Sequence, residues 1–113
     1  MSPQALDTAA LALPAATLSV QWGAERVFKV GGRMFAVASP DGGLSFKATD
    51  IAYEALVESG VARPAPYLAR ARWVRFDDLA ALDADEVAAW LATAHRLVSA
   101  KLTRAQRQAL GLA

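Results

Sequence analysis

The stretch Arg26–Val37, RVFKVGGRMFAV, constrains the fold more than any other. Two alternating apolar runs flank Gly31-Gly32. A two-residue loop of this kind closes a β-hairpin, because the primed turns that match strand twist need positive φ at their central positions. Side chains alternate across a strand, so the turn also fixes which residues share a face. With Gly31-Gly32 as the loop, Val30 opposes Arg33, Lys29 opposes Met34, Phe28 opposes Phe35 and Val27 opposes Ala36. Phe28, Val30, Phe35 and Val37 then form the core face. Lys29 joins Met34, Val27 and Ala36 on the other. Arg26 and Arg33 end the core face, with Arg33 beside the turn, where a long side chain reaches solvent.

The rest of the chain supplies partners for that hairpin. Residues 4–13 are rich in Ala and Leu and read as a short helix stopped by Pro14. TLSVQW alternates, with Leu18, Val20 and Trp22 on one face. SPDGG, residues 39–43, turns the chain into LSFKA, whose Leu44 and Phe46 suit the core. Ser45 and Lys47 then fall on the face of Lys29. Asp50 is placed to cap a helix ending near Ser59, with Gly60 as its left-handed terminator. ARPAPYLAR, with two prolines, is irregular, with one helical turn expected at Tyr67–Ala69. RWVRF, residues 72–76, alternates again. Val74 and Phe76 face the core, which turns Trp73 and Arg75 outward.

Asp83 and Glu86 have the spacing of a capping box. They open a long helix in which Val87, Trp90, Leu91, Ala94, Leu97, Val98 and Leu102 recur at helical period. Thr103 and Gln106 repeat the box before a short basic helix. The order α-β-β-β(β)-α-β-α-α predicts an α+β fold, an antiparallel sheet with helices packed on one face. The 113 residues suit one compact domain, residues 1–113, and 55% hydrophobic content gives it a sizeable core.

Formal net charge is +1, so any affinity for anions must come from how charge is distributed. Between Arg26 and Arg75 eight cations outnumber four anions. The absence of cysteine excludes disulfides, thiolate zinc sites and a cysteine nucleophile, and fits a cytoplasmic setting. No positively charged segment precedes the apolar residues near the start, and no apolar run is long enough to span a membrane, so neither a secretory signal nor a membrane anchor is expected.

Catalytic signatures are lacking. The sequence has neither a Gly-x-Ser-x-Gly elbow nor an HExxH pair. Its single histidine, His95, flanks the apolar face of a helix, where packing is the commoner role. The glycine pairs lack the following Lys-Ser/Thr of a phosphate loop. The acids from Asp77 to Glu86 lack the spacing of a calcium loop, and Asp83 and Glu86 suit capping and the helix dipole. The chain is therefore expected to be no enzyme and to need no cofactor or metal.

The chain resembles the MmcQ/YjbR family of small bacterial proteins. The matching pieces are Leu13-Pro14, Trp22-Gly23, FKVGGRMFAV (residues 28–37), RPAPYL before RWVRF, and HRLVSAKL (residues 95–102), in the family's order. The resemblance implies a CyaY-like, double-wing-like fold and the family's usual description as DNA-binding. In this chain Arg72 stands where the family often has His, and Ala94-His95 where it often has Ser-Tyr. Under that reading the nucleic-acid contacts are Lys29, Arg33, Lys47, Arg70, Arg72 and Arg75, with Trp73 stacking on a base or sugar. The alternative is a protein-interaction or regulatory domain, favoured by the apolar residues beside Lys29.

Overall fold

The computed structural model describes residues 1–112. The elements follow as α1 (Pro3–Leu11), β1 (Ala16–Gln21), β2 (Glu25–Val30), β3 (Arg33–Ala38), β4 (Leu44–Lys47), α2 (Asp50–Glu58), β5 (Arg63–Pro64), β6 (Trp73–Phe76), α3 (Ala84–Ser99) and α4 (Arg104–Ala109). The strands form one open antiparallel sheet in the order β1-β2-β3-β4-β6-β5. The fold is α+β, as expected. Proline closes the two-residue edge strand β5, where a missing N–H costs no ladder bond.

Helix boundaries follow local chemistry. Ser2 caps α1 and accepts from the Ala5 N–H at 3.1 Å. The helix stops at Leu11 rather than 13, because Pro14 disfavours helical geometry in the residue before it. Thr49, not Asp50, caps α2, accepting from the Ala52 N–H at 3.0 Å. Gly60 takes positive φ after it, as expected. Asp83 caps α3 by accepting from the Glu86 N–H at 3.0 Å, but without the return bond of a full box. The complete box is at α4, where the Thr103 N–H donates to Gln106 Oε1 at 2.8 Å and the Gln106 N–H to Thr103 Oγ1 at 3.1 Å.

The main core lies between the sheet and α1 and α3. Phe28, Val30, Phe35, Leu44, Phe46 and Val74 meet Leu6, Val87 and Leu91 there, all with at most 1% of their surface exposed. Each large side chain so placed contributes about 1.5–3 kcal/mol. Trp90 stacks on Phe76 and Phe46, with ring centroids 4.9 and 5.5 Å apart. His95 is buried against Phe35 in an edge-on contact at 5.4 Å, with Nε2 2.7 Å from the Pro14 carbonyl. A carbonyl only accepts, so Nε2 carries the proton and donates.

The hairpin departs from simple alternation. Lys29 opposes Met34 and Val30 opposes Arg33 as expected, but Phe28 opposes Ala36 and Val27 opposes Val37. A β-bulge at Phe35 absorbs the extra residue, so Phe35 and Ala36 both reach the main core. Val37 is thereby moved to the opposite face, into a second cluster with Val27, Ala65 and Trp73. Trp22 also leaves its expected strand face. Its φ of 50° ends β1 early and leaves the indole 66% exposed.

Candidate nucleic-acid interface

The sheet face away from α1 and α3 is not open. After β5 the chain crosses it as a strap, residues 65–72, tied at both ends. The Ala65 N–H donates to the Trp73 carbonyl at 3.0 Å, and the Trp73 N–H to the Leu68 carbonyl at 3.2 Å. A short 3₁₀ turn, Ala69–Ala71, falls two residues later than the helical turn expected from sequence. Beneath the strap lie Val27, Val37 and Trp73, with Met34 and Leu68 packed against them. Trp73 does point to the face of Lys47, with which it pairs. At 4% exposure, however, it has no ring face left for a base. The expectation of an outward, stacking Trp73 is corrected by the strap.

Arg75 is likewise committed. Its guanidinium donates to both oxygens of Asp41 at 3.0 and 3.1 Å, to Asp77 Oδ1 at 3.1 Å and to Ser39 Oγ at 3.3 Å. Only 12% of the side chain is exposed. Asp77 also accepts from Arg63 at 2.8 Å. Bonds from the Gly43 N–H and then Arg75 hold the Asp41 carboxyl below its usual range. Arg63 and then Arg75 do the same for Asp77. Partial burial works against the Arg75 charge, yet the bonds to Asp41 and Asp77 outweigh it and raise its pKa. A guanidinium between two carboxylates offers no net charge to a phosphate.

The other expected contacts sort into two groups. Arg72 ends the 3₁₀ turn with φ 63°, so its side chain leaves the strand direction. It reaches Asp50 at 3.3 Å and lies over the Tyr53 ring, 5.1 Å from its centre. Arg70 is exposed on the strap. Arg33 and Lys47 converge with Lys101, a residue absent from the sequence-based set. These three line a cleft of about 270 Å³ with Met34, Trp73 and Val98, and no carboxylate lines it. Lys29 sits beside its rim, paired across the strands with Met34.

Lys47 is the most constrained of the group. Its ammonium donates to the Ala71 carbonyl of the strap. Its pKa is lowered by burial first, then by the charge of Lys101, with Asp50 opposing and Arg72 adding a little. Lys101 arrives through the hairpin turn. A Cβ at Gly31 would lie 2.7 Å from the Leu102 side chain, so Gly31 lets the turn approach the end of α3. That contact sets Lys101 next to Arg33. The only hint in the sequence is the run Arg96–Arg107, four cations without an acid.

The acids after β6 have local duties. Asp77 pairs with Arg63 and Arg75, Asp78 accepts from the Ala80 N–H at 3.1 Å, and Asp83 caps α3. Among the described residues no group of three or more His, Asp or Glu converges as a metal site would require. No helix there is long and apolar enough to cross a membrane.

These features define a small α+β domain with a strapped antiparallel sheet and a cationic cleft beside the strap. The chain belongs to the YjbR family, whose model matches residues 11–97. Among solved structures it is similar to the DUF419-domain protein DR2400 of Deinococcus radiodurans. The two are 27% identical with a TM-score of 0.82, over 96% of this chain and 86% of that one. No curated protein matches the chain. The family and the fold implied by the resemblance therefore hold.

Proposed function

We propose that this domain binds the phosphate backbone of DNA, with little base specificity, through the cleft of Arg33, Lys47 and Lys101. One observation carries the reading: three cations line a concave site with no carboxylate among its walls, in a chain whose net charge is only +1. Lys47 adds support, because its charge is disfavoured in the free protein and an arriving phosphate would relieve that. Lys29, which pairs across the strands with Met34, and Arg70, the neighbour of Ala71, would extend the contact. Arg75 and Trp73 drop out of the contact set, and Arg72 contributes only if it leaves Asp50. The reading assigns no catalytic step, and His95 is occupied by Pro14.

Binding of a short DNA duplex, followed against salt, tests this. Three neutralised phosphates give a log–log slope of about −2.7, since each contributes about −0.9 on duplex DNA. The double variant Lys47→Glu and Lys101→Glu should abolish binding, while Arg75→Gln should leave the slope unchanged. Binding that ignores salt and survives the double reversal would refute the proposal.

A further inference from the structure

A second cleft, of about 480 Å³, opens on the other side of the strap. Its floor is Met34 and Val37 from β3, one wall is Leu68 of the strap, and Trp22 and Tyr67 stand at its rim. The volume lies in the usual range for small-ligand sites, about 300–1,000 Å³. Three observations mark it as a built site rather than a gap under the strap.

Trp22 and Tyr67 are 66% and 105% exposed. Both hold positive φ, 50° and 64°, a backbone state that bulky residues rarely adopt. Strain of this kind collects at functional sites, and here two such residues flank one cleft. Ser45 is only 9% exposed, and among the described residues its hydroxyl has no hydrogen-bond partner. No buried polar atom is left walled in and unpaired, so the Ser45 hydroxyl opens to the cleft that its residue lines. Glu25 also lines the cleft, on the same strand face as Val27. One of its oxygens accepts from Ser39 Oγ at 2.8 Å, and it forms no ion pair among the described residues.

The charge around the polar end decides the ligand. Arg75 lines it but is held by Asp41 and Asp77, and Arg63 is held by Asp77. Arg63, Asp41 and Asp77 lie outside the lining, so Glu25 is the one lining charge without an ion-pair partner among the described residues. Exposed Trp and Tyr rings favour cations, and Glu25 and Ser45 supply acceptors. We propose that this cleft binds a small organic cation, an ammonium group on an apolar body. The ammonium meets Glu25 and Ser45, and the apolar body lies on Met34, Val37 and the two rings. The same chemistry can be presented by a free amine or by a lysine side chain, and the volume favours the free amine.

The test uses phenethylammonium as probe, with phenethyl alcohol and phenylacetate as neutral and anionic counterparts, and N-acetyl-lysine methylamide as the peptide-like arm. Calorimetry on the full chain reads affinity. Phenethylammonium should bind about tenfold or more tightly than either counterpart, the equivalent of about 1.4 kcal/mol or more. Glu25→Gln and the pair Trp22→Ala with Tyr67→Ala should each weaken it about tenfold at unchanged thermal midpoint. Ser45→Ala serves as a third variant should the aromatic pair fail to fold. Lys47→Glu with Lys101→Glu should leave amine binding intact, which separates this site from the DNA reading. Tighter binding of the lysine amide would assign the site to a side chain; tighter binding of phenethylammonium assigns it to a free amine. Equal affinity for the alcohol, or indifference to Glu25→Gln, overturns the proposal.

Discussion

Gly43 and Arg75 work as a pair. A Cβ at residue 43 would collide with the Arg75 guanidinium, which lies flat against the backbone there. Gly43→Ala should therefore push Arg75 off Asp41 and Asp77. Both carboxylates have pKa values below the usual 3.8. A lowered folded-state value means stability that is present above pH 3.8 and is lost as pH falls through the lowered values. The variant should lose part of this acid sensitivity, seen as a smaller drop in thermal midpoint on acidification below pH 3.8 than the parent shows. His95 offers a second case. His95→Leu keeps the bulk but leaves the Pro14 carbonyl without its donor, and urea unfolding should show a loss of about 1–3 kcal/mol. Strand parity was enough to place Arg75 on the face opposite Val74 and Phe76. Its neutralisation was half legible, because Asp77 lies two residues on along the same face, while Asp41 comes from a turn 34 residues away. The sequence marks His95 only as a flank of the helix, since nothing local announces its bond to Pro14, 81 residues distant.

At the scale of elements, the bulge and the strap account for most of what sequence reading missed. The face assignment from Gly31-Gly32 holds along β2 and up to Phe35 on β3, then fails from Ala36 onward, because a bulge has no marker in a run of ordinary strand residues. The consequence is large: Val37 crosses to the far face and builds a second core with Val27 and Trp73. The sequence marks the strap only as irregular, since two prolines say where a helix cannot run but not which surface the segment covers. Trp73 distinguishes the two views of that surface. As a base-stacking residue, its loss would weaken DNA binding and spare stability. Buried under the strap, its replacement by Ala should instead cost about 3–5 kcal/mol, measured by denaturant unfolding. The strap should also loosen, so amides of Ala65 and Trp73, which bond across it, should exchange faster with solvent.

For the whole molecule, the weak net charge and the cationic cleft are reconciled by where pairing occurs. Arg26 is paired with Asp7, Arg63 and Arg75 with Asp77, and Arg72 with Asp50. These pairings neutralise the four arginines at long range, while Arg33, Lys47 and Lys101 are left to line one cleft without a carboxylate. That concentration makes DNA binding depend on pH in a specific way. In the free protein the Lys47 pKa lies below 10.5 because of burial and then Lys101. Below that lowered value Lys47 is charged at some cost to the fold, and the cost is relieved as pH rises through it. A bound phosphate stabilises the charged form and returns the pKa upward, so binding takes up a proton in the window between the two values. Affinity should then fall as pH rises into that window, before ordinary lysines lose their charge. A series at constant salt from about pH 7 to about pH 10 would read this. Lys47→Arg keeps its charge throughout, so it should bind DNA and flatten the profile. Lys101→Gln removes one source of the depression, so it should weaken binding while moving the fall to higher pH. A profile as steep in Lys47→Arg as in the parent would place the titrating group elsewhere and remove Lys47 from the contact.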